Sequence, residues 1–173
     1  MDAKLVLTKL QSKTPVIITG KVGAGKTRRA ERIAAGLKKE GIKVGGVISP
    51  RVLEGGETIG YTIRDLETGQ TRPFAKLTPP GVPVGRFFVS EEGLAFAHAA
   101  ILRAIKSAQV VFIDEVGRLE LEGKGLADAV RKALSGRALP VILIRTEFSE
   151  RVRKAFGISL FDEIKAEKEE ECA

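Results

Sequence analysis

The sequence predicts a three-layer α/β fold with a mainly parallel central sheet, extended by an antiparallel β-hairpin section. Short apolar strands alternate with amphipathic helices at both ends of the chain, a pattern typical of a parallel sheet covered on both faces. Between them, residues 44–88 carry strands and turns but no helical pattern. At 173 residues the chain fits a single domain, 1–173, large enough to bury a substantial core.

The first half of the chain predicts a strand, a helix and a meander of strands. Residues 15–19, PVIIT, form a short apolar strand bounded by proline and glycine. A helix follows over 26–40, where apolar residues recur at three- and four-residue spacing and Gly41 ends the pattern. The meander has predicted strands at 43–49, 58–65, 71–76 and 86–89, turns at 54–57 and 68–69, and a proline-rich loop at 77–85.

The second half returns to alternating helices and strands. A helix begins after its cap, Ser90, and runs to residue 107, and the apolar residues 110–113 form a strand. The remaining predicted elements are a helix at 126–134, a strand at 139–145, a short basic helix at 147–156, and a frayed, solvated tail, AEKEEECA.

A glycine-rich segment joins the first strand to the first helix. Residues 20–27, GKVGAGKT, match the pattern G-x-x-x-x-G-K-[ST]. Small residues let backbone N–H groups converge on a phosphate chain, and the positive end of the following helix points to the same place. Because a strand precedes the match and a helix follows it, the sequence predicts a phosphate-binding loop and a P-loop NTPase fold. The predicted nucleotide-binding residues are Gly20, Lys21, Val22, Gly23, Ala24, Gly25, Lys26, Thr27 and Arg28.

Two of these residues and an acidic pair carry the predicted chemistry. Lys26 is expected to reach the β- and γ-phosphates as a catalytic residue, and the Thr27 hydroxyl to hold Mg²⁺. Asp114, at the end of the strand VVFI, is the second predicted metal residue. Glu115, the next residue, is expected to orient the water that attacks the γ-phosphorus, or to accept its proton. The chain contains no guanine-reading Asn-Lys-x-Asp motif and no arginine-rich lid, which favours loose base selectivity.

Three blocks in order resemble a known family. GKVGAGKT, KVGGVISPRVLEGGETIGYTIRDLETG and VVFIDEVGRLEL, across residues 16–121, are similar to the motifs of the cancer-related nucleoside-triphosphatases, which are small P-loop NTPases. The resemblance implies a RecA-like core with an additional catalytic glutamate, and Mg²⁺-dependent conversion of NTP to NDP and phosphate with loose base preference. It also places Gly117, Arg118 and Glu120 in a segment that borders the active site, where Arg118 is a candidate catalytic arginine for charge on the γ-phosphate.

The sequence departs from the family pattern at two positions of the loop, and it does not decide among three candidate arginines in the C-terminal third. Val22 replaces the loop proline, and Arg28 stands where a second hydroxyl residue is common. The C-terminal third offers three possible γ-phosphate sensors, without preference among Arg145, Arg151 and Arg153.

Other polar and aromatic residues are expected to lie on the surface or to pack, without a role in the site. Arg51 and Arg64 are expected on a solvated surface, with nucleotide contact as the alternative. His98, the only histidine, is expected to be an ordinary helix residue. Tyr61 and the pair Phe87-Phe88 are expected to pack, with stacking on a base as the alternative.

Composition limits the classes of binding partner and the cellular compartment that we expect for the protein. The net charge is +7, and residues 1–90 hold 16 Lys and Arg against 7 Asp and Glu, or +9, which suits an anionic ligand. No aromatic residues interleave with the basic ones, so nucleic acid is an unlikely but open partner, and no obligate protein partner is evident. A single cysteine, Cys172, and the lack of a leader or a membrane-length apolar run predict a cytoplasmic protein that does not enter a membrane.

The predicted function is Mg²⁺-dependent hydrolysis of nucleoside triphosphates such as ATP and GTP. Two alternatives stay open at this point. One is a phosphotransferase acting on a nucleoside or another small molecule, with the hairpin section as its acceptor site. The other is a nucleotide-gated adaptor that binds a partner through its basic half.

Overall fold

Five parallel strands form one half of the central sheet in the computed structural model, which describes residues 1–167. Their spatial order is β10-β1-β9-β8-β2, and β2 is followed across the sheet by the antiparallel strands β4-β5-β7-β6, with β3 paired to β4. The strands are β1 (Val16–Gly20), β2 (Val44–Ile48), β3 (Arg51–Glu54), β4 (Glu57–Asp65), β5 (Thr71–Lys76), β6 (Val82–Val84), β7 (Phe87–Val89), β8 (Val110–Val116), β9 (Leu139–Arg145) and β10 (Asp162–Lys165).

Helices cover both faces of the parallel half. They are α1 (Asp2–Lys9), α2 (Lys26–Lys39), α3 (Glu91–Ser107), α4 (Arg118–Leu121), α5 (Ala127–Ser135) and α6 (Ser149–Ala155), with a 3-10 turn at Thr146–Phe148 before α6. One hydrophobic core joins α1 and α2 to the sheet through side chains such as Leu37 and Phe112. The other joins α3, α5 and α6 to the opposite face through Ile101, Val130 and Ile142. The predicted three-layer α/β class is therefore confirmed.

The parallel arrangement of the strands determines where the candidate site lies. Parallel strands end at the same edge of a sheet, so the carboxyl ends of β1, β8 and β9 lie side by side. Residues that follow or end these strands therefore meet in one crevice, the usual ligand position of an open α/β sheet. The meander β3–β7 continues the sheet beyond β2 and borders the same crevice.

Five short elements were not predicted: α1, β3, β6, α4 and β10. The predicted loop 77–85 is wrong in part, because it contains β6. α1 buries only Val6 completely, so its apolar spacing is faint, and β10 pairs on one side only and carries a single apolar residue, Ile164. The predicted frayed tail is wrong at its start, because Ala166 is buried and its N–H donates to the carbonyl of Thr19 at 2.7 Å. Cys172 and the rest of the predicted tail lie outside the described residues.

Candidate active site

The loop between β1 and α2 has the backbone shape that its glycines permit. Gly23 and Gly25 adopt left-handed conformations, with φ of 76° and 86°, which side chains other than glycine rarely allow. Lys26, the first residue of α2, is buried, and its Nζ donates hydrogen bonds to the carbonyls of Gly20 and Lys21 at 3.1 and 3.2 Å. Burial lowers the pKa of Lys26, and the nearby Glu115 and Asp114 charges oppose that shift. The ammonium group is thus held at the mouth of the loop.

The second residue of α2 reaches the end of β8. The Thr27 hydroxyl donates a 2.7 Å hydrogen bond to Oδ2 of Asp114, and the backbone N–H of Ser49 donates to the same oxygen at 2.9 Å. Asp114 is 1% exposed. Burial, with a contribution from the charge of Glu115, raises the pKa of Asp114 to about 7, against the two hydrogen bonds that stabilise the carboxylate. α2, β8 and the residue that follows β2 therefore converge on one buried carboxyl group.

The buried carboxyl group predicts a pH dependence of stability in the metal-free protein. The pKa of Asp114 rises from 3.8 to about 7 on folding, so the folded state binds more protons than the unfolded chain between these values. This contribution to stability is complete below pH 3.8, falls progressively as the pH rises toward 7, and is absent above it. We expect Asp114→Asn to remove a slope of about 1 kcal/mol per pH unit between pH 4 and 7, measured by urea denaturation in EDTA. Equal slopes in the two proteins would contradict this assignment.

The carboxylate next to Asp114 faces an arginine from the neighbouring strand. Oε1 of Glu115 lies 2.7 Å from Nε of Arg145, and both side chains are about one-third exposed. Arg145 ends β9 directly opposite Gly20 in the sheet, so strand register brings it to the start of the phosphate loop. Of the three arginines considered as sensors, Arg145 alone reaches the crevice, since Arg151 and Arg153 stack on the rings of Phe148 and Phe161.

A short segment after β8 carries Arg118 into the crevice. Arg118 is exposed, lines the cavity, and has its guanidinium carbon 5.8 Å from the ring centre of Phe148. Glu120 is buried at the edge of the crevice and accepts hydrogen bonds from the N–H groups of Gly117 at 2.8 Å and Leu126 at 3.0 Å. The carboxylate therefore closes the loop that presents Arg118.

Removal of this carboxylate should weaken the fold. Glu120→Ala would leave two buried N–H groups without acceptors, so we expect the free energy of unfolding to fall by about 2 to 4 kcal/mol in chemical denaturation. Glu120→Gln retains one oxygen acceptor and should lose about half as much. Unchanged stability in Glu120→Ala would show that the segment does not depend on this contact.

A cavity of about 1590 Å³ joins the phosphate loop, the acidic pair and the meander. Arg51 on β3 is exposed, as the sequence predicts, yet its Nη1 lies 3.7 Å from the position that a Cβ of Gly23 would occupy. Arg64 does not line the cavity; it pairs at 2.9 Å with Glu31, which lies at the cavity wall. His98 pairs with Asp128 at 3.1 Å on the surface, in keeping with an ordinary helix residue.

The remaining loop residues take different positions. Val22, Ala24 and Arg28 line the cavity, and Val22 is 59% exposed. Gly20 is buried, and a Cβ there would lie 2.9 Å from the carbonyl oxygen of Ala166. Lys21 contributes its carbonyl to Lys26, while its side chain is not among the groups that line the cavity.

The α/β sheet and the glycine-rich β1–α2 junction define the chain as a P-loop NTPase. A family described as NTPase matches residues 15–171, and the chain belongs to that family. The fold and the resemblance predicted from the sequence are thereby confirmed.

Relatives and solved structures agree with this membership. The nucleoside-triphosphatase THEP1 of Methanopyrus kandleri is 36% identical over 148 residues, covering 86% of this chain and 80% of the relative. THEP1 of Thermofilum pendens is 41% identical over 141 residues, covering 79% and 78%. The solution structure of a human cancer-related nucleoside triphosphatase matches with a TM-score of 0.66 at 26% identity, covering 86% of this chain and 88% of that one. THEP1 from Aquifex aeolicus shares the fold, with a TM-score of 0.73 at 24% identity over 91% and 92%.

Within residues 1–167, every helix is too short or too polar to span a bilayer.

Proposed function

We propose that this nucleoside-triphosphatase requires Mg²⁺ and converts NTP to NDP and phosphate with loose base preference. The observation that carries the proposal is the 2.7 Å contact between the Thr27 hydroxyl and Asp114. It joins the two halves of the site, because Thr27 opens the helix after the phosphate loop and Asp114 lies on β8. A triphosphate held by the loop would therefore lie against the acidic pair.

Phosphate binding falls to the loop. We assign it to the backbone N–H groups of residues 23–27, where Gly23 and Gly25 are left-handed, and to the positive end of α2. Lys26 would exchange its two carbonyl partners for the β- and γ-phosphate oxygens. Its buried stem keeps the charge in place, so little reorganisation is needed when the nucleotide enters.

The donor set near Thr27 fits magnesium. Thr27 and Asp114 provide oxygen donors, which Mg²⁺ prefers. No group of three or more His, Cys, Asp or Glu residues that could hold a metal occurs within residues 1–167, in keeping with an ion held mainly by substrate phosphates, water and one or two protein oxygens. The chemistry that bound Mg²⁺ supplies is neutralisation of charge on the β- and γ-phosphates. Thr27 would bind the ion directly, with Asp114 orienting the hydroxyl or an intervening water.

We assign activation of the attacking water to Glu115. Its carboxylate lies at the carboxyl edge of the sheet, one residue beyond Asp114, and it can orient a water in line with the γ-phosphorus and accept a proton from it. Arg145 holds this carboxylate from the side at 2.7 Å. As negative charge moves onto the phosphate oxygens, the Arg145 guanidinium is placed to stabilise it, and Arg118 remains a second candidate for that role.

Phosphate release from ATP, GTP, CTP and UTP, with and without Mg²⁺ and with no acceptor present, tests the proposal. We expect release from all four nucleotides with Mg²⁺ and none above background in EDTA. Release that depends on an added acceptor would instead favour the phosphotransferase alternative. Turnover only in the presence of a protein or nucleic acid would favour the adaptor alternative.

The cellular setting belongs to the same proposal. We propose a cytoplasmic enzyme that needs no obligate protein or nucleic-acid partner, supported by the single cysteine in the sequence and by the contact of the phosphate loop with Asp114 on the same chain. A turnover rate unchanged by added RNA or DNA would agree with it.

A further inference from the structure

An aromatic pair with two arginines lies at the end of the cavity formed by the meander. The rings of Tyr61 on β4 and Phe87 on β7 meet edge to face, with centroids 5.3 Å apart and planes at 76°. The guanidinium carbon of Arg86 lies 4.9 Å from the centre of the Phe87 ring, and its Nη2 donates to the carbonyl of Thr58 at 2.9 Å. We call Arg51, Tyr61, Arg86 and Phe87 the meander end of the cavity; all four line it.

The meander end is joined to the phosphate loop and to Glu115. Arg51 is the cross-strand partner of Tyr61, and its guanidinium lies against Gly23 of the loop. Burial raises the pKa of Tyr61, and the charge of Glu115 adds to that effect, so the phenol stays neutral and lies within electrostatic reach of the carboxylate. A ligand at the meander end would therefore lie next to the γ-phosphate position.

A single bound nucleoside triphosphate would leave the meander end of the cavity unfilled. Strand order places Glu115 of β8 between the phosphate loop and the meander, so a γ-phosphate at Glu115 points toward the meander. The nucleoside would then extend the other way, over α2 toward β10, where Asp2 and Ala166 also line the cavity. The volume of about 1590 Å³ exceeds the 300–1,000 Å³ or so typical of a site for one small ligand.

We propose that the meander end is a second binding site, which takes a nucleoside monophosphate. The base would pack against the aromatic side chains of Tyr61 and Phe87, both of which line the cavity. The phosphate would lie between Arg51 and Arg86, whose two positive charges match a phosphate dianion. This inference rests on the proposed function only for the direction in which the triphosphate lies.

The composition of the chain offers a direct probe. Tyr61 is the only tyrosine, so protein labelled with 3-fluorotyrosine gives one ¹⁹F resonance, from this site alone. With the phosphate loop saturated by Mg²⁺ and a non-hydrolysable ATP analogue, we expect GMP or UMP to shift that resonance to saturation. Arg86→Ala should weaken the apparent affinity by about tenfold, the effect of one hydrogen bond to a charged group.

Arg72 supplies the matched control. It is also an arginine of the meander, with its guanidinium carbon 5.1 Å from the ring centre of Phe96, but it lies outside the cavity. Arg72→Ala should therefore leave the affinity for GMP unchanged. An equal loss in the two variants would overturn the assignment of Arg86.

Three results would overturn the second site. The first is no shift at millimolar GMP or UMP. The second is a shift caused by the ATP analogue alone, with no further change on adding monophosphate. That result would show that the base of the hydrolysed nucleotide occupies the meander end. The third is the same shift with ribose 5-phosphate at equal concentration, which would show that no base is recognised. Phosphate release from Mg²⁺ and NTP in the same preparation, with no monophosphate added, tests the proposed function separately.

Discussion

Replacement of Glu115 by glutamine is expected to lower kcat by at least about a hundredfold, the usual effect of one acid–base group. The amide has nearly the same shape but accepts no proton and orients water poorly. Affinity for the magnesium nucleotide should stay within about threefold, since the loop residues and Lys26 are untouched and a negative charge near the phosphates is removed. Steady-state phosphate release and calorimetric titration of a non-hydrolysable analogue measure the two quantities.

Glu147→Gln is the control for this variant. Glu147 also faces Arg145, at 4.0 Å, but it is exposed and lies outside the cavity. Its replacement should leave kcat unchanged within about twofold, because a surface pair of this kind contributes little. Hydrolysis at the wild-type rate by Glu115→Gln would remove this carboxylate from the mechanism.

Replacement of Lys26 by alanine is expected to reduce both affinity and turnover. The ammonium group is the one buried cation of the phosphate loop, and its loss removes a charged donor from the β- and γ-phosphates. We expect kcat/KM to fall by about a hundred- to a thousandfold, the effect of removing one preorganised donor from an active site. The calorimetric signal for the magnesium nucleotide should fall with it.

Lys39→Ala controls for a general loss of positive charge. Lys39 lies at the other end of the same helix and is exposed, so its removal changes the net charge equally without touching the loop. Binding should be unchanged in this variant. If Lys26→Ala bound and hydrolysed NTP like Lys39→Ala, the loop would not hold the phosphates.

Much of the candidate site could be predicted from the sequence because the proposed chemistry needs particular residue types at fixed spacing. Residues 20–27 combine glycines, a lysine and a hydroxyl in a set order, and the strand before them and helix after them confirm the context. Asp114 is marked by the apolar strand that it follows. The structure then brings Thr27 and Asp114 within hydrogen-bond distance, although 87 positions separate them in the chain.

Other parts of the candidate site could not be predicted from local sequence patterns. Ser49 contributes a backbone N–H to Asp114, and a backbone group is not specified by residue type. Arg145 could not be separated from Arg151 and Arg153, because strand register alone puts it opposite Gly20. Arg51 reaches the loop only through the way in which β3 pairs with β4, a long-range arrangement that local patterns do not specify.

The most direct test is a crystal structure with Mg²⁺ and a non-hydrolysable ATP analogue. We expect a triphosphate held by the N–H groups of residues 23–27 and by Lys26. We also expect Mg²⁺ at about 2.1 Å from Oγ1 of Thr27, with Asp114 beside the ion and Glu115 facing the γ-phosphate. A nucleotide bound elsewhere, or a metal ion away from Thr27 and Asp114, would contradict the claim that the loop and the acidic pair form one site.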